Sequence, residues 1–454
     1  MSLAVGRSGF PELLPHQRAV EQSVLDTLRR TFELHGFASI ETSSAEPLDR
    51  LLQKGETDKE IYLLRRLQAA EEDAGSGVGL HFDLTVPLAR YVVDNAGSLE
   101  FPFRRYQIQK CWRGERPQEG RFREFTQADI DIVGRDELPF HFDVEVAVVM
   151  AEALSALPVP PLRLQINNRK LMEGFFLGVG ITDTAAAMRA VDRLDKVDPL
   201  QVHAMLVADC NIGAEQAQRC LALAAIATND TSFVARVREL GVVHPLLDEG
   251  LGELAAVIDG ALSVSSSRLQ ITADLRIARG LDYYTGTVFE TRMTGFEQIG
   301  SICSGGRYDA LATDGRTTYP GTGISLGVTR MLAPLLARGV LAGSRSVPSV
   351  VMVALPDEDA REACRVVAQQ LRSRGIATEV APAATKYGRQ IKTADRRGIP
   401  YVWFPQPDGS HEVRDLRSGE QVPADPTEWR PPDSALRPTV IEAQQTEPSR
   451  EPTA

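Results

Sequence analysis

The sequence predicts an α+β chain: an antiparallel-sheet domain interrupted by a helical insertion, then a small α/β domain. Three observations lead there. Apolar residues alternate at strand spacing on both sides of an Ala- and Leu-rich stretch of helical text between Arg169 and Ser267. Beyond a Gly-, Ser- and Pro-containing linker near residues 339–348, strand and helix patterns alternate. From Pro431 onward there are five prolines and almost no apolar residues. The predicted boundaries are 1–168 and 268–338 for the sheet domain, 169–267 for the insertion, 348–430 for the α/β domain and 431–454 for a disordered tail.

Each element has a local reason. Val20, Val24, Leu25, Leu28 and Phe32 recur at helical spacing over 16–36, and Gly36 ends the run. FASIET reads as a strand. LHFDLTVPLARYVVDNAG runs from strand into helix, with Pro87 in the first turn, where a missing N–H does no harm. Asp83 and Thr85, at i and i+2, are expected on one face of that strand. Residues 101–134 read as strand, arginine-rich turn and strand, and Gln127, Asp129 and Asp131 close it on alternating positions, lining a polar pocket. HFDVEVAVVMAEALSAL is a helix and LRLQINN a strand.

After the insertion, strand text returns in LQITADLRIARGLDYYTGTVFETRM. Tyr283 and Tyr284 are predicted on successive strand positions, hence on opposite faces. SGGRYDAL sets Tyr308 behind a Gly305–Gly306 turn, and GTGISLGVTRML reads as a glycine turn opening a helix that carries Arg330. VVMVALP, DAREACRVVAQQLRSRG, ATEVAP, GRQIKTADRRG and YVWFP then predict a mainly parallel sheet with helices.

Composition narrows the function. The 454 residues carry a net charge of −11, yet Phe101 to Phe125 holds seven basic residues against three acids, a local +4. Guanidinium forks bind phosphate oxygens in pairs, so this turn is a phosphate candidate; a solvated basic hairpin is the competing reading. Five cysteines lack any C-x-x-C pair, which fits a reducing cytoplasm and argues against a disulfide framework or zinc ribbon. No run approaches the roughly 18 apolar residues of a membrane span, and the N-terminus lacks the apolar core of a secretory signal. Seven histidines show no metal-ligand spacing, so no metal site is expected, and no serine or cysteine has a base partner in sequence. A P-loop is absent, and GTGISLG has its third glycine one residue late for a dinucleotide loop. Arginines, carboxylates, amides and tyrosines without a nucleophile suit a small zwitterion and a polyphosphate, with the substrate itself attacking.

These residues resemble class II aminoacyl-tRNA synthetases and, within them, the histidyl-tRNA synthetase family. CWRGERPQEGRFREF is similar to the class's second motif and GTGISLGVTRML to its third, while ARGLDYYTGTVFE and SGGRYDAL resemble two histidine-binding signatures. The resemblance runs from about residue 10 to 430 and implies a class II antiparallel-sheet catalytic domain with an anticodon-binding α/β domain. It also implies activation of histidine with ATP and Mg2+, transfer of the histidyl group to tRNA(His), and a homodimer.

By match to the family motifs, Arg113 would hold the α-phosphate and the histidine carboxylate, Arg121 and Arg330 the β- and γ-phosphates, Phe125 the adenine ring and Glu115 its amino group. Arg279 would stand where other class II enzymes place a further metal. Asp83, Thr85 and Gln127 would take the α-amino group, and Asp131, Tyr284 and Tyr308 the imidazole. Gln118 would reach the acceptor end of tRNA, and Lys386, Arg389 and Lys392 would bind the anticodon region. The chain departs from the pattern at Thr42-Ser43-Ser44, where motif one usually has proline, at His81 in place of arginine, and at Asp83 and Asp131 in place of glutamates. A catalytically silent regulatory subunit of histidine biosynthesis and a ligase that adenylates an amino acid without using tRNA are the alternatives.

Overall fold

A computed structural model describes residues 6–52, 58–67, 77–280 and 283–442. The described chain divides into two units, Gly6–Pro11 with Leu25–Pro334, and Glu12–Val24 with 335–442. In the larger unit the strands are β1 (Ala38–Ser39), β2 (Ala45–Pro47), β3 (Tyr62–Leu64), β4 (Val78–Leu80), β5 (Phe103–Trp112), β6 (Glu124–Val133), β7 (Leu162–Asn168), β8 (Ala227–Thr228), β9 (Leu269–Asp274), β10 (Thr287–Met293), β11 (Cys303–Thr313) and β12 (Thr318–Gly327). Nine form one sheet in the order β1-β5-β6-β12-β11-β10-β7-β9-β8, and β2-β4-β3 form a second. The large sheet is antiparallel except where β1 meets β5 and β7 meets β9. This is the α+β architecture the sequence predicts.

The large sheet has one apolar and one polar face because its strands alternate. On β6, Ala128, Ile130 and Ile132 are fully buried on one side, while Gln127, Asp129 and Asp131 occupy the other. The helix His141–Ser155 packs on β6, β9 and β12, and the helix Pro245–Leu262 packs on β7, β9 and the first helix. Burying each isoleucine contributes roughly 1.5–3 kcal/mol, which fixes the register and leaves the polar set on the opposite side. β7 stops at Asn168, whose side chain accepts the Lys170 and Leu171 N–H groups and caps the helix Arg169–Gly178.

Residues 169–267 are helical apart from β8, which pairs antiparallel with β9 and so belongs to the sheet. In the smaller unit the strands are β13 (Leu341–Gly343), β14 (Val351–Val353), β15 (Thr378–Val380), β16 (Tyr401–Pro405), β17 (His411–Asp415), β18 (Gln421–Pro423) and β19 (Val440–Glu442). The sheet β15-β14-β16-β17-β18 is parallel only through its first three strands. A tight turn at 406–410, with Gly409 at φ +84° and Asp408 accepting the Ser410 N–H, reverses the chain and makes the remaining pairs antiparallel.

The predicted disordered tail from 431 starts too early. β19 pairs with β13, and the buried Arg345 guanidinium donates to the Ala435 carbonyl at 2.8 Å, so 431–442 hold hydrogen-bonded structure. Residues 443–454 lie outside the described residues.

Candidate active site

Directly paired residues in a sheet project to the same side. Here the pairing aligns Gln107, Asp129, Ser325, Ser304, Glu290 and Gln165 in a row across six strands. The neighbouring row reads Arg105, Asp131, Gly323, Gly306 and Val288. These two rows form the floor of the site.

At one end Asp131 is 5% exposed and receives two cross-strand partners. Arg105, fully buried, places Nη2 2.5 Å from Oδ2, and the Tyr308 hydroxyl donates to Oδ1 at 2.9 Å. Tyr284 and Tyr308 pack in one cluster with Ile277 and Val288. Burial, followed for Tyr308 by the charge of Asp131, pushes both phenols well above their ordinary range, so both keep their protons.

Glycines make this packing possible. A Cβ at Gly323 would lie 2.0 Å from Asp131 Oδ1, and one at Gly321 would lie 2.4 Å from the Tyr308 ring. Both glycines are strand residues of β12, and Gly305 and Gly306 lie within β11, so neither stretch is the turn the sequence suggested. A Cβ at Gly321 or Gly323 would strike a side chain of the paired strand, whereas one at Gly305 would strike the Gly323 carbonyl and one at Gly306 the Thr287 carbonyl and the Tyr284 ring. Tyr283 and Tyr284 also depart from expectation. Both N–H groups bond to the Gly280 carbonyl in a turn, and the rings lie 4.2 Å apart instead of on opposite faces. Gly280 at φ +64° allows that turn.

Asp83 and Thr85 do not share a strand. The segment bends after His81, Thr85 is the first residue of the helix Thr85–Asn95, and Asp83 Oδ1 accepts the Val86 N–H at 3.1 Å. A carboxylate three residues before a helical N–H favours the cap over extended chain. His81 is fully buried, with Nδ1 3.2 Å from the Ser43 carbonyl and Nε2 2.6 Å from that of Lys110. Gln107 donates to the Thr42 hydroxyl at 2.9 Å and Gln109 to the Thr42 carbonyl at 2.8 Å, so the segment where motif one departs from its relatives is tied to β5. Gln127 donates to the Ser325 hydroxyl.

The arginine hairpin divides its charges by strand face. Arg104 makes a bidentate pair with Glu145 at 3.0 Å, Arg105 is spent on Asp131, Lys110 faces Glu124 at 3.5 Å, and Arg123 donates to the Glu115 carbonyl. The seven-residue patch is therefore not one anion surface. Arg113, which donates to the Phe82 carbonyl at 3.0 Å and covers the Phe125 ring at 5.0 Å, stays beside the pocket. Glu115 lies 3.9 Å from Arg113 and 3.5 Å from Arg121.

Arg330, on the helix Val328–Ala337, donates to the Ile299 carbonyl at 3.1 Å. Burial lowers its pKa first, Arg121 and Arg113 act the same way, and Glu115 and Glu290 oppose them. Three guanidiniums gathered around one carboxylate in a half-buried place favour a polyanion between them.

Arg279 reaches the same floor through Glu290, which is 1% exposed and accepts its Nε at 3.1 Å. Its other nitrogens contact Asp195 at 2.8 Å and Asp192 at 3.5 Å, both from the helical insertion. Burial works against the charge of Arg279, and Glu290, Asp192 and Asp195 outweigh it, holding its pKa above the ordinary value. Sequence reasoning missed Arg105, Glu290 and Ser325 as parts of the site, and named Asp129 without a role. Period-two alternation along β5 and β6 marks Arg105 and Asp129, whereas Glu290 and Ser325 become visible only through register.

Gln118 is exposed at the tip of the β5–β6 loop, where its backbone pairs with Arg121 in both directions. In the smaller unit, Lys386 precedes the helix Tyr387–Arg396, and Lys386, Arg389 and Lys392 are all exposed at helical spacing. Gln390 anchors the other side of that helix through the Leu355 N–H and carbonyl, at 2.9 and 2.8 Å.

An antiparallel sheet whose polar face gathers arginines beside a motif-two-type hairpin, with a glycine-floored third strand leading into an arginine-bearing helix, defines a class II aminoacyl-tRNA synthetase catalytic domain. Comparison narrows the class. The family profile described as Histidyl-tRNA synthetase matches residues 9–331, and one described as Anticodon binding domain matches 349–428. The chain belongs to the histidyl-tRNA synthetase family. It is 57% identical to the histidine–tRNA ligase of Micrococcus luteus, with 98% of this chain and 100% of that protein covered. It is 55% identical to the histidine–tRNA ligase of Cutibacterium acnes, with 96% and 98% covered. The crystal structure of histidyl-tRNA synthetase from Nostoc sp. PCC 7120 superposes with a TM-score of 0.82 at 35% identity, covering 93% of this chain and 96% of that one.

Proposed function

We propose that the protein is a histidine–tRNA ligase, which activates histidine with ATP and passes the histidyl group to the 3′ end of tRNA(His). In the first step a carboxylate oxygen of histidine bonds to the α-phosphorus, and the bond to the leaving pyrophosphate breaks. In the second, a ribose hydroxyl of the tRNA attacks the acyl carbon of the adenylate and AMP leaves. Negative charge builds on phosphoryl oxygens in the first step, and fixed cations lower that barrier without transferring a proton.

The observation that carries this reading is the adjacency, on one sheet face, of the Asp131–Tyr308–Tyr284 pocket and the Arg113–Arg121–Arg330 cluster. Asp131 and the two phenols offer an acceptor and donors to an imidazole, which a non-polar isostere would leave unpaired. Asp83, Thr85 and Gln127 take the α-amino group. Arg113 holds the α-phosphate and the carboxylate, and Arg121 and Arg330 hold the outer phosphates. Phe125 and Glu115 take adenine, and Arg279 stabilises the reacting phosphate.

Among the described residues no group of three or more His, Cys, Asp or Glu side chains is arranged to hold a metal ion, and Glu115 and Glu290 are both engaged by arginines. Magnesium enters with ATP as part of the substrate. Gln118 meets the acceptor end of tRNA, and Lys386, Arg389 and Lys392 meet phosphates of the anticodon region. A cytoplasmic homodimer completes the reading; no helix among the described residues is long and apolar enough to cross a membrane.

The near-full-length relatives and the segment matching an anticodon-binding profile favour this function over a regulatory subunit or a ligase that does not use tRNA. Histidine-dependent ATP–pyrophosphate exchange followed by charging of total tRNA tests it. Both activities are expected; exchange without charging supports the other ligase, and neither supports the regulatory subunit.

A further inference from the structure

Asp129 has no part in the roles assigned above, yet it stands at the centre of the floor. It lies midway between Gln127 and Asp131 on the same face of β6, successive same-face positions being about 6.8 Å apart. Its side chain is 2% exposed, and among the described residues no protein group donates to its Oδ1. The same is true of Oε1 of Gln127, two residues away on that face. Two buried acceptors side by side, without a donor from the protein, call for a ligand that brings several N–H groups.

We propose that Asp129 is a direct acceptor for the α-ammonium group of the amino-acid substrate, completing with Gln127 a site that admits a cationic amine next to the imidazole pocket. The inference rests on the histidine reading above. A substrate ammonium supplies up to three N–H donors and a positive charge beside the carboxylates Asp83, Asp129 and Asp131. Arg105 on β5, fully buried, pairs through Nη2 with Asp131 and offers Nη1 to Gln107 Oε1 at 3.5 Å, while its Nε has no hydrogen-bond partner among the described residues and does not bond to Asp129 Oδ1.

The charged and titratable groups facing Asp129 are Arg105 and Cys111 on β5, Asp131 on its own strand, Asp83 before the helix Thr85–Asn95, and Cys303 on β11. Burial first, then the repulsion of Asp131 and Asp83, raises the Asp129 carboxyl to about 7, while Arg105 and the Ser325 hydroxyl oppose the rise. An arriving ammonium favours the carboxylate, so binding near neutral pH expels a proton from this group.

Calorimetric titration of the full-length protein at pH 7, in two buffers of different ionisation enthalpy, tests this with L-histidine and with 3-(imidazol-4-yl)propanoate, which has the same ring and carboxylate but no amine. After the ring ionisation of each free ligand is subtracted, wild type should release more protons with histidine than with the amine-free acid. Asp129→Asn should weaken histidine binding by about 10–100-fold, the range for a lost charged hydrogen bond. It should leave the amine-free acid unchanged and remove the extra proton release. Histidine affinity within twofold of wild type in Asp129→Asn, or equal proton release for the two ligands in wild type, overturns the proposal. The wild-type comparison decides even if the variant does not fold. Loss of histidine-dependent exchange in the wild type would instead overturn the underlying reading.

Discussion

Removing the Asp129 charge should stabilise the ligand-free protein at alkaline pH. The carboxyl titrates at about 7 against an ordinary value of 3.8, chiefly because it is buried. Its folded value lies above its unfolded value, so the folded state binds this proton more tightly. The associated stability is fully present below pH 3.8 and is lost as pH rises to about 7. At about 1.4 kcal/mol per pH unit, the roughly three-unit gap corresponds to about 4 kcal/mol lost above pH 7.

Asp129→Asn keeps the shape and removes that loss. Urea unfolding of wild type and variant at pH 5 and pH 8, followed through the transition that exposes the catalytic sheet, measures it. The variant should exceed wild type by about 1.5 kcal/mol at pH 5, where only the unfolded carboxyl has ionised, and by about 4 kcal/mol at pH 8. Equal stability at pH 8, or a difference that does not change with pH, refutes the assignment of an ionising carboxylate buried at this position. A gain in stability together with weaker histidine binding would mark the residue as one kept for function at the expense of the fold.

Other expectations follow from the same geometry. Arg279→Ala should lower pyrophosphate exchange by at least about 100-fold; because Arg292 still reaches Glu290 at 3.2 Å, circular dichroism and the unfolding midpoint should stay close to wild type. Gly323→Ala would set a methyl 2.0 Å from Asp131 Oδ1, so histidine KM in the exchange assay should rise more than tenfold while KM for ATP moves little. Replacing Lys386, Arg389 and Lys392 together with alanine should raise KM for tRNA and flatten its salt dependence by about two logarithmic slope units, with histidine-dependent exchange unchanged.

Much of this site was legible in the chain because its logic is local. Alternation along EFTQADIDIV assigns Gln127, Asp129 and Asp131 to one face before any partner strand is known, and guanidinium chemistry marks Arg113 and Arg330 as phosphate candidates. Local reasoning failed where a side chain competes with the backbone. Asp83 accepting the Val86 N–H at the start of the helix, and the turn at Gly280 that brings the Tyr283 and Tyr284 rings together, replace the expected strands.

By itself the sequence determined the sheet faces, the order of elements and the chemical types available, since strand and helix periodicity are properties of neighbouring residues. Only the tertiary structure decided which charges are free. Arg104 pairs with Glu145, Arg105 with Asp131 and Arg279 with Asp192, Asp195 and Glu290, partners up to 87 residues away along the chain. Electrostatic energy depends on separation in space and on burial, and neither is written in the spacing of residues along the chain.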